Sequence, residues 1–279
     1  MTQAPLPFPL RVLVKGGSTV HTVSYMGGPR SVFAYPRVTE AAMYAAGVPA
    51  EVRCTAAASQ RTKTAFKTWE QETFSWSPDV VVLTYGYMEI IHLFLPQPLE
   101  RHANSLAARP GPIRTPYRVA LRKTWKLLAR LQQRLDRRVP MLFMRRRLRA
   151  ASDISLLVER IQMIGSPLVL IMELTPPGPP FQKWFPGLAE RMEQTNETLR
   201  DVVRRIDKPN VRLFPTNTVL APLAAAGEVV PDGGHYTPEA HRVIGTVLAE
   251  EILTWARQER LIETEQPSTR AREASALPD

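Results

Sequence analysis

The sequence predicts an α/β fold, with a parallel sheet covered by helices on both faces. Two observations carry this expectation. Short apolar runs recur along the chain and are continuous rather than alternating, as in strands buried on both faces. Helical stretches separate these runs, which is the alternation that builds a parallel sheet. A hydrophobic content of 44% over 279 residues is enough for one large core.

Residues 11–14 form the first apolar run, closed by Gly16 and Gly17. Residues 38–46 have helix-forming composition and stop at Gly47, and residues 50–54 follow as a second strand. Residues 64–74 read as a helix. "DVVVLT" at 79–84 is β-branched, continuous and bounded by Ser-Pro and Gly86, which marks a buried strand. "PLVLIME" at 167–173 repeats that pattern and is closed by "TPPGPP". A long helix over 187–206, a strand over 211–214 and a closing helix over 238–258 complete the series. Residues 1–262 are expected to form one domain, and the polar tail 263–279 is expected to be disordered.

The charge is uneven. The chain carries +10, but residues 101–149 hold fifteen Lys or Arg against a single acid, Asp136. That window therefore carries +14 and the remainder −4. It lies inside a helical insertion at about 97–165, between two of the strands. In it Tyr117, Leu121, Trp125, Leu128, Leu131 and Leu135 mark an apolar helical face. Arg118, Arg122, Lys126, Arg130 and Arg134 form a neighbouring basic row, and Pro140 ends the helix. Such a row suits a solvated hairpin, an anionic membrane surface or an anionic substrate such as an acyl donor. No helix-turn-helix, zinc or RNA-binding signature accompanies it, so nucleic acid ranks last. The single Cys54 excludes an internal disulfide or a cysteine-based metal site. No run of 18 apolar residues suggests a membrane span, and no secretory leader is legible at the N-terminus. The default expectation is a cytoplasmic protein, with peripheral membrane contact through the basic segment.

In a parallel α/β sheet ligands gather at the C-terminal ends of the strands. Ser18 stands just past the first strand, after two glycines. A serine hydroxyl becomes a nucleophile when a base removes its proton, and histidine held by a carboxylate is the usual base. Of five histidines, His235 has the most suitable surroundings, in "VPDGGHYTPEAHRVIG". Asp232 precedes it by three residues across a Gly-Gly turn, and Thr237 and Pro238 look like the cap and first turn of a helix. A plain turn with a surface histidine is the competing reading of that stretch. His21 reads as structural, and His92 as a residue of the pocket rim.

The order Ser18, then "LTYGYME", then "DGGHYTPEAHRVIGTVLAEEI" resembles the SGNH/GDSL hydrolase family. That family carries Gly-Asp-Ser after its first strand, Gly-x-Asn-Asp after a central strand, and Asp-x-x-His before its last helix. The resemblance spans residues 11–95 and 168–253 and leaves the basic insertion outside it. It implies a three-layer α/β/α fold with a flavodoxin-like parallel sheet. It also implies a Ser18–His235–Asp232 triad that cleaves or transfers an O-acyl ester without a metal or organic cofactor. Two departures stand out. Gly17 replaces the aspartate of Gly-Asp-Ser. In Gly86-Tyr87-Met88-Glu89, Met88 takes the place of the asparagine that supports the oxyanion, and a thioether donates no hydrogen bond. By the same resemblance the oxyanion falls to the N–H groups of Ser18 and Ser59 (Ala58 being the alternative). Gly17, Gly86, Tyr87 and Met88 would line the pocket. A non-catalytic binding protein that keeps the pocket is the competing function, favoured by Met88.

Overall fold

The structure is a computed structural model that describes residues 8–21, 34–57, 60–91, 102, 111–227, 229–259 and 261–262. Strand β1 (Leu10–Gly16) is followed by helix α1 (Tyr35–Ala45), edge strand β2 (Ala50–Cys54) and helix α2 (Thr62–Lys67). A single π-turn, Glu70–Phe74, leads to β3 (Val80–Thr84), and the short α3 (Tyr87–Ile91) follows. Two long helices, α4 (Arg114–Arg138) and α5 (Pro140–Ile161), make a hairpin before β4 (Leu168–Met172). Then come α6 (Pro179–Trp184), α7 (Leu188–Ile206), β5 (Val211–Phe214), α8 (Thr216–Val219), α9 (Ala221–Ala225) and the closing α10 (Pro238–Gln258).

All five strands pair in parallel, in the order β2-β1-β3-β4-β5. Alternate side chains of each strand face opposite layers. Val12, Val14, Val80, Val82, Leu168 and Leu170 pack on α1 and α10. Leu13, Val81, Leu83, Val169 and Ile171 pack on the other side, against α2, α5 and α7. The result is the expected three-layer α/β/α sandwich with a flavodoxin-like strand order. The five residues of β3 and of β4 are all buried, which explains why those runs are apolar but for Thr84 at the end of β3. Each such Val, Leu or Ile contributes about 1.5–3 kcal/mol by leaving water. The order reverses between β1 and β3, whose ends lie level at Gly16 and Thr84. A crevice opens at such a switch point, outside the carboxyl ends of the strands.

The hairpin departs from the sequence expectation in three ways. First, Pro140 begins a helix, because a proline at the first helical position gives up only an N–H that has no partner there. Second, the C-terminal half of α5 is no insertion. Ala151, Ile154, Leu157, Val158 and Ile161 are buried against the sheet, so this half is the β3–β4 crossover helix. Third, α4 packs through only part of the expected face. Leu121, Trp125 and Leu128 are half-buried beside the buried Ala129 and Gln132, whereas Tyr117, Leu131 and Leu135 are exposed. Arg118 is half-buried and Arg130 exposed. The side chains of Arg122 and Lys126 lie outside the description, as do Ala58, Ser59, His92 and the tail 263–279. The expected helix 64–74 breaks at Thr68 and resumes as the π-turn, which places Glu72 against Lys15.

Candidate active site

At the end of β1 the two glycines have different reasons to be there. A Cβ on Gly16 would lie 2.8 Å from the Thr84 carbonyl oxygen and 2.7 Å from Val20, so only glycine fits where β1 runs level with β3. Gly17 has extended backbone and open space around its Cα. Ser18 then opens a single 3₁₀ turn, Ser18–Val20. The turn closes with Val20 N–H donating to the Gly17 carbonyl at 3.2 Å and His21 N–H to that of Ser18 at 3.3 Å. The first N–H groups of such a turn have no partner within it.

His235 reaches this serine from the loop before α10. Asp232 organises that loop by itself. Its Oδ1 accepts the N–H groups of Gly234 at 3.0 Å and His235 at 2.8 Å, and its Oδ2 lies 2.7 Å from His235 Nδ1. The other ring nitrogen, Nε2, lies 3.0 Å from Ser18 Oγ. Burial pushes the Asp232 carboxyl up. The His235 ring and the two backbone donors outweigh it and hold the group below the ordinary carboxylate range. An ionised Asp232 only accepts, so Nδ1–H donates to it and Nε2 faces Ser18 Oγ as an acceptor. The His235 and Asp232 side chains are 16% and 21% exposed, shielded but reachable from the crevice.

The His235 loop is held by its neighbours. Gly233 has φ of 105°, and a Cβ there would sit 2.3 Å from the Phe181 ring. Phe181 belongs to α6, the helix that grows out of "TPPGPP". The same segment donates Gly178 N–H to the Gly233 carbonyl at 3.2 Å. Thr175 and Tyr236 join their hydroxyls at 2.8 Å, and Asn196 of α7 brackets the Leu174 backbone with bonds of 2.7 and 2.9 Å. Thr237 caps α10 by accepting the Ala240 N–H, with Pro238 at the first turn as the sequence suggested. His241, one turn on, is fully buried, and its Nδ1 accepts the Tyr35 N–H at 3.1 Å; it is an anchor for α1.

Gly86, Tyr87, Met88 and Glu89 follow β3. Tyr87 lines a small cavity with Thr19, Thr84, Glu173, Gly233 and Tyr236, beneath the His235 loop. Its buried hydroxyl has no hydrogen-bond partner among the described residues. Burial, with Asp232 and Tyr236 nearby, keeps it protonated. Met88 is half-buried and packs at the margin of an apolar cluster around Ile90, Leu174 and Leu188. Glu89 is buried and accepts two bonds from Thr62, N–H at 2.7 Å and Oγ at 2.8 Å. Burial pushes the Glu89 carboxyl up, against the pull of Thr62. On the other side of the crevice, Ala57 N–H donates to the Gly16 carbonyl at 3.1 Å. The chain from β2 therefore runs beside the Ser18 turn at Ala57, and Glu89 fixes it again at Thr62.

Ser18, His235 and Asp232 are thus brought together at the switch point. Of the expected pocket residues Tyr87 lines the cavity, whereas Gly86 abuts Leu174 and Thr195 and Met88 packs at the margin of the apolar cluster. No protein-family profile and no curated protein match the chain. Solved structures do. A lipase/acylhydrolase from Enterococcus faecalis superimposes with a TM-score of 0.59 at 12% identity, over 92% of this chain and 100% of the other. An acetylxylan esterase from Geobacillus stearothermophilus gives 0.58 at 12% identity, over 90% and 96%. A GDSL-like lipase candidate from Parabacteroides merdae gives 0.55 at 12% identity, over 87% and 95%. The chain has the SGNH/GDSL hydrolase fold. Within that fold, several residues around the crevice carried no sequence signal. Lys15, fully buried three residues before Ser18, is paired with Glu72. The contact of Phe181 with Gly233 and the Asn196 bracket were equally invisible, since each joins segments far apart in the chain.

Proposed function

We propose that the protein is a serine-dependent ester hydrolase or acyltransferase acting on an O-acyl ester. The observation that carries this reading is the hydrogen-bonded series Ser18 Oγ, His235 and Asp232 at the carboxyl edge of the sheet. Ser18 Oγ attacks the ester carbonyl while its proton passes to His235 Nε2. Asp232 orients the ring through Nδ1–H and stabilises the cation formed there. The tetrahedral adduct collapses, and His235 gives the proton to the departing alcohol oxygen. The acyl group stays on Ser18 until water, or a second alcohol, loses a proton to His235 and attacks it. Reversal of the same steps frees the serine. The oxyanion falls to the N–H groups of Ser18 and Ser59, with the Tyr87 hydroxyl as a further donor on the β3 side of the crevice. Both solved relatives from Enterococcus and Geobacillus are named for ester-cleaving activities, which supports this reading at the level of reaction class.

Met88 favours a second reading, a binding protein that has kept the pocket and lost turnover. Losing one oxyanion donor costs about 10²–10³ in rate, so a slow enzyme remains compatible with it. Hydrolysis of p-nitrophenyl acetate separates the two. The enzyme reading expects turnover that Asp232→Asn lowers by about 10⁴-fold through the wrong imidazole tautomer. Turnover equal in wild type and Ser18→Ala would support the binding protein.

A further inference from the structure

The outer end of the α4–α5 hairpin has a surface that the catalytic reading does not use. Residues 150–161 of α5 cover the sheet, and the helix runs against the strands toward β4. Its first ten residues, about 15 Å of helix at 1.5 Å per residue, therefore lie toward the carboxyl edge, the edge of Ser18, where Phe143 is buried against α3 and α7. Around the turn at Val139, Leu131, Leu135, Val139, Met141, Met144 and Leu148 are 39–52% exposed. On α4 Leu127 and Leu131 lie on the side away from the buried Ala129, and Leu135 continues the exposed row. Exposed Arg130, Arg134 and Arg138 adjoin it, and exposed Arg145 and Arg149 adjoin the α5 row. No carboxylate among the described residues lies within salt-bridge distance of these five arginines.

We propose that this tip docks on an anionic lipid surface and holds the Ser18 edge of the sheet toward it. The inference goes beyond the proposed ester chemistry and does not require it. Each half of the surface points to the same occupant. Exposed aliphatic side chains gain by entering the boundary of the acyl chains, and the arginines beside them gain from anionic headgroups. A second copy of this chain would bring two segments of +14 together and is repelled. A nucleic acid would engage the arginines and leave the leucines and methionines in water. The base of the hairpin meets the site, since Ala129 and Phe143 share an apolar cluster with Ile90 and Ile91 of α3, with Met88 and Phe181 at its margin.

The test is co-sedimentation of the full chain with vesicles of equal parts phosphatidylglycerol and phosphatidylcholine, beside vesicles of phosphatidylcholine alone. Binding to the anionic vesicles only, weakening with salt, is expected. Arg130→Glu with Arg134→Glu should weaken it by at least tenfold, since each cation contributes about a fivefold factor. Leu131→Ser with Met144→Ser should weaken it comparably, while ester turnover in solution stays unchanged in both variants because these side chains are exposed and line no part of the cavity at the site. Ser18→Ala should bind vesicles like wild type, which separates docking from catalysis. Absence of binding to anionic vesicles overturns the proposal. So does vesicle binding that needs the arginines but not Leu131 and Met144, which would reduce the surface to a purely electrostatic patch with no apolar insertion. Self-association abolished by Leu131→Ser would assign the face to a second copy instead.

Discussion

Gly233→Ala probes how the His235 loop is held. The new Cβ would lie 2.3, 2.5 and 2.7 Å from Cδ1, Cγ and Cβ of Phe181, and the backbone has φ of 105°. Two costs combine. An L-residue in that region stores about 1–3 kcal/mol of backbone strain. Overpacking against the ring adds about 1–3 kcal/mol, because the Phe181 Cβ cannot rotate away and the loop or α6 must move. A loss of about 3–4 kcal/mol in urea unfolding is expected. Turnover of p-nitrophenyl acetate should fall by about 10²-fold, the cost of roughly 1 Å of misplacement at a reacting group, since Gly233 adjoins Asp232. In a double-mutant cycle, Phe181→Ala removes the ring contacts at 2.3 and 2.5 Å but leaves the Cβ contact at 2.7 Å and the backbone strain. Gly233→Ala with Phe181→Ala should therefore be about 1 kcal/mol more stable than the two single losses combined would allow. A Gly233→Ala protein within about 0.5 kcal/mol of wild type and fully active would refute the contact as the determinant of the loop.

Three further substitutions test the surroundings. Glu89→Gln keeps an acceptor for Thr62 but cannot ionise. Because the folded carboxyl is raised, wild type binds the proton more tightly when folded, so its stability falls as pH rises from the ordinary carboxylate range to the raised value. Relative to wild type the Gln variant should gain stability across that window, and parallel pH curves in urea unfolding would contradict the assignment. Glu72→Gln strips the fully buried Lys15 of its counter-ion. It should cost about 3 kcal/mol, and Lys15→Met in the same protein should restore most of that loss on thermal unfolding. Met88→Asn should raise p-nitrophenyl acetate turnover by about 10–10²-fold by adding an oxyanion donor. It should also lower stability by about 1 kcal/mol, because an amide enters the margin of an apolar cluster; an unchanged rate would mean that another donor already fills the place.

The strands were legible because burial on both faces favours a continuous apolar run, as "VVVL" and "LVLIM" show. The Asp232–His235 geometry was legible because it is local: three residues and a Gly-Gly turn bring both side chains together. Gly16 and Gly17 looked equivalent in sequence, and only the level ends of β1 and β3 show that Gly16 alone is sterically required. The hairpin misled because α4 carries apolar residues on more than one side. Periodicity joins Leu121, Trp125 and Leu128, which pack, to Tyr117, Leu131 and Leu135, which do not, and only the partner helix decides where the buried side ends. The apolar half of α5 was taken for insertion because the long basic run before it masked a crossover helix. Glu89–Thr62 and Lys15–Glu72 join residues 27 and 57 positions apart, a separation that no local pattern encodes.

The central claim is that Ser18 is a nucleophile activated by His235, and fluorophosphonate labelling tests it most directly. Wild-type protein, incubated with the probe and digested, should carry the adduct on the peptide containing Ser18 and on no other. Ser18→Ala should take up none. His235→Ala should react far more slowly, because the hydroxyl has lost the base 3.0 Å away. Equal labelling of wild type and Ser18→Ala, or a wild-type protein that does not label at all, would contradict the account.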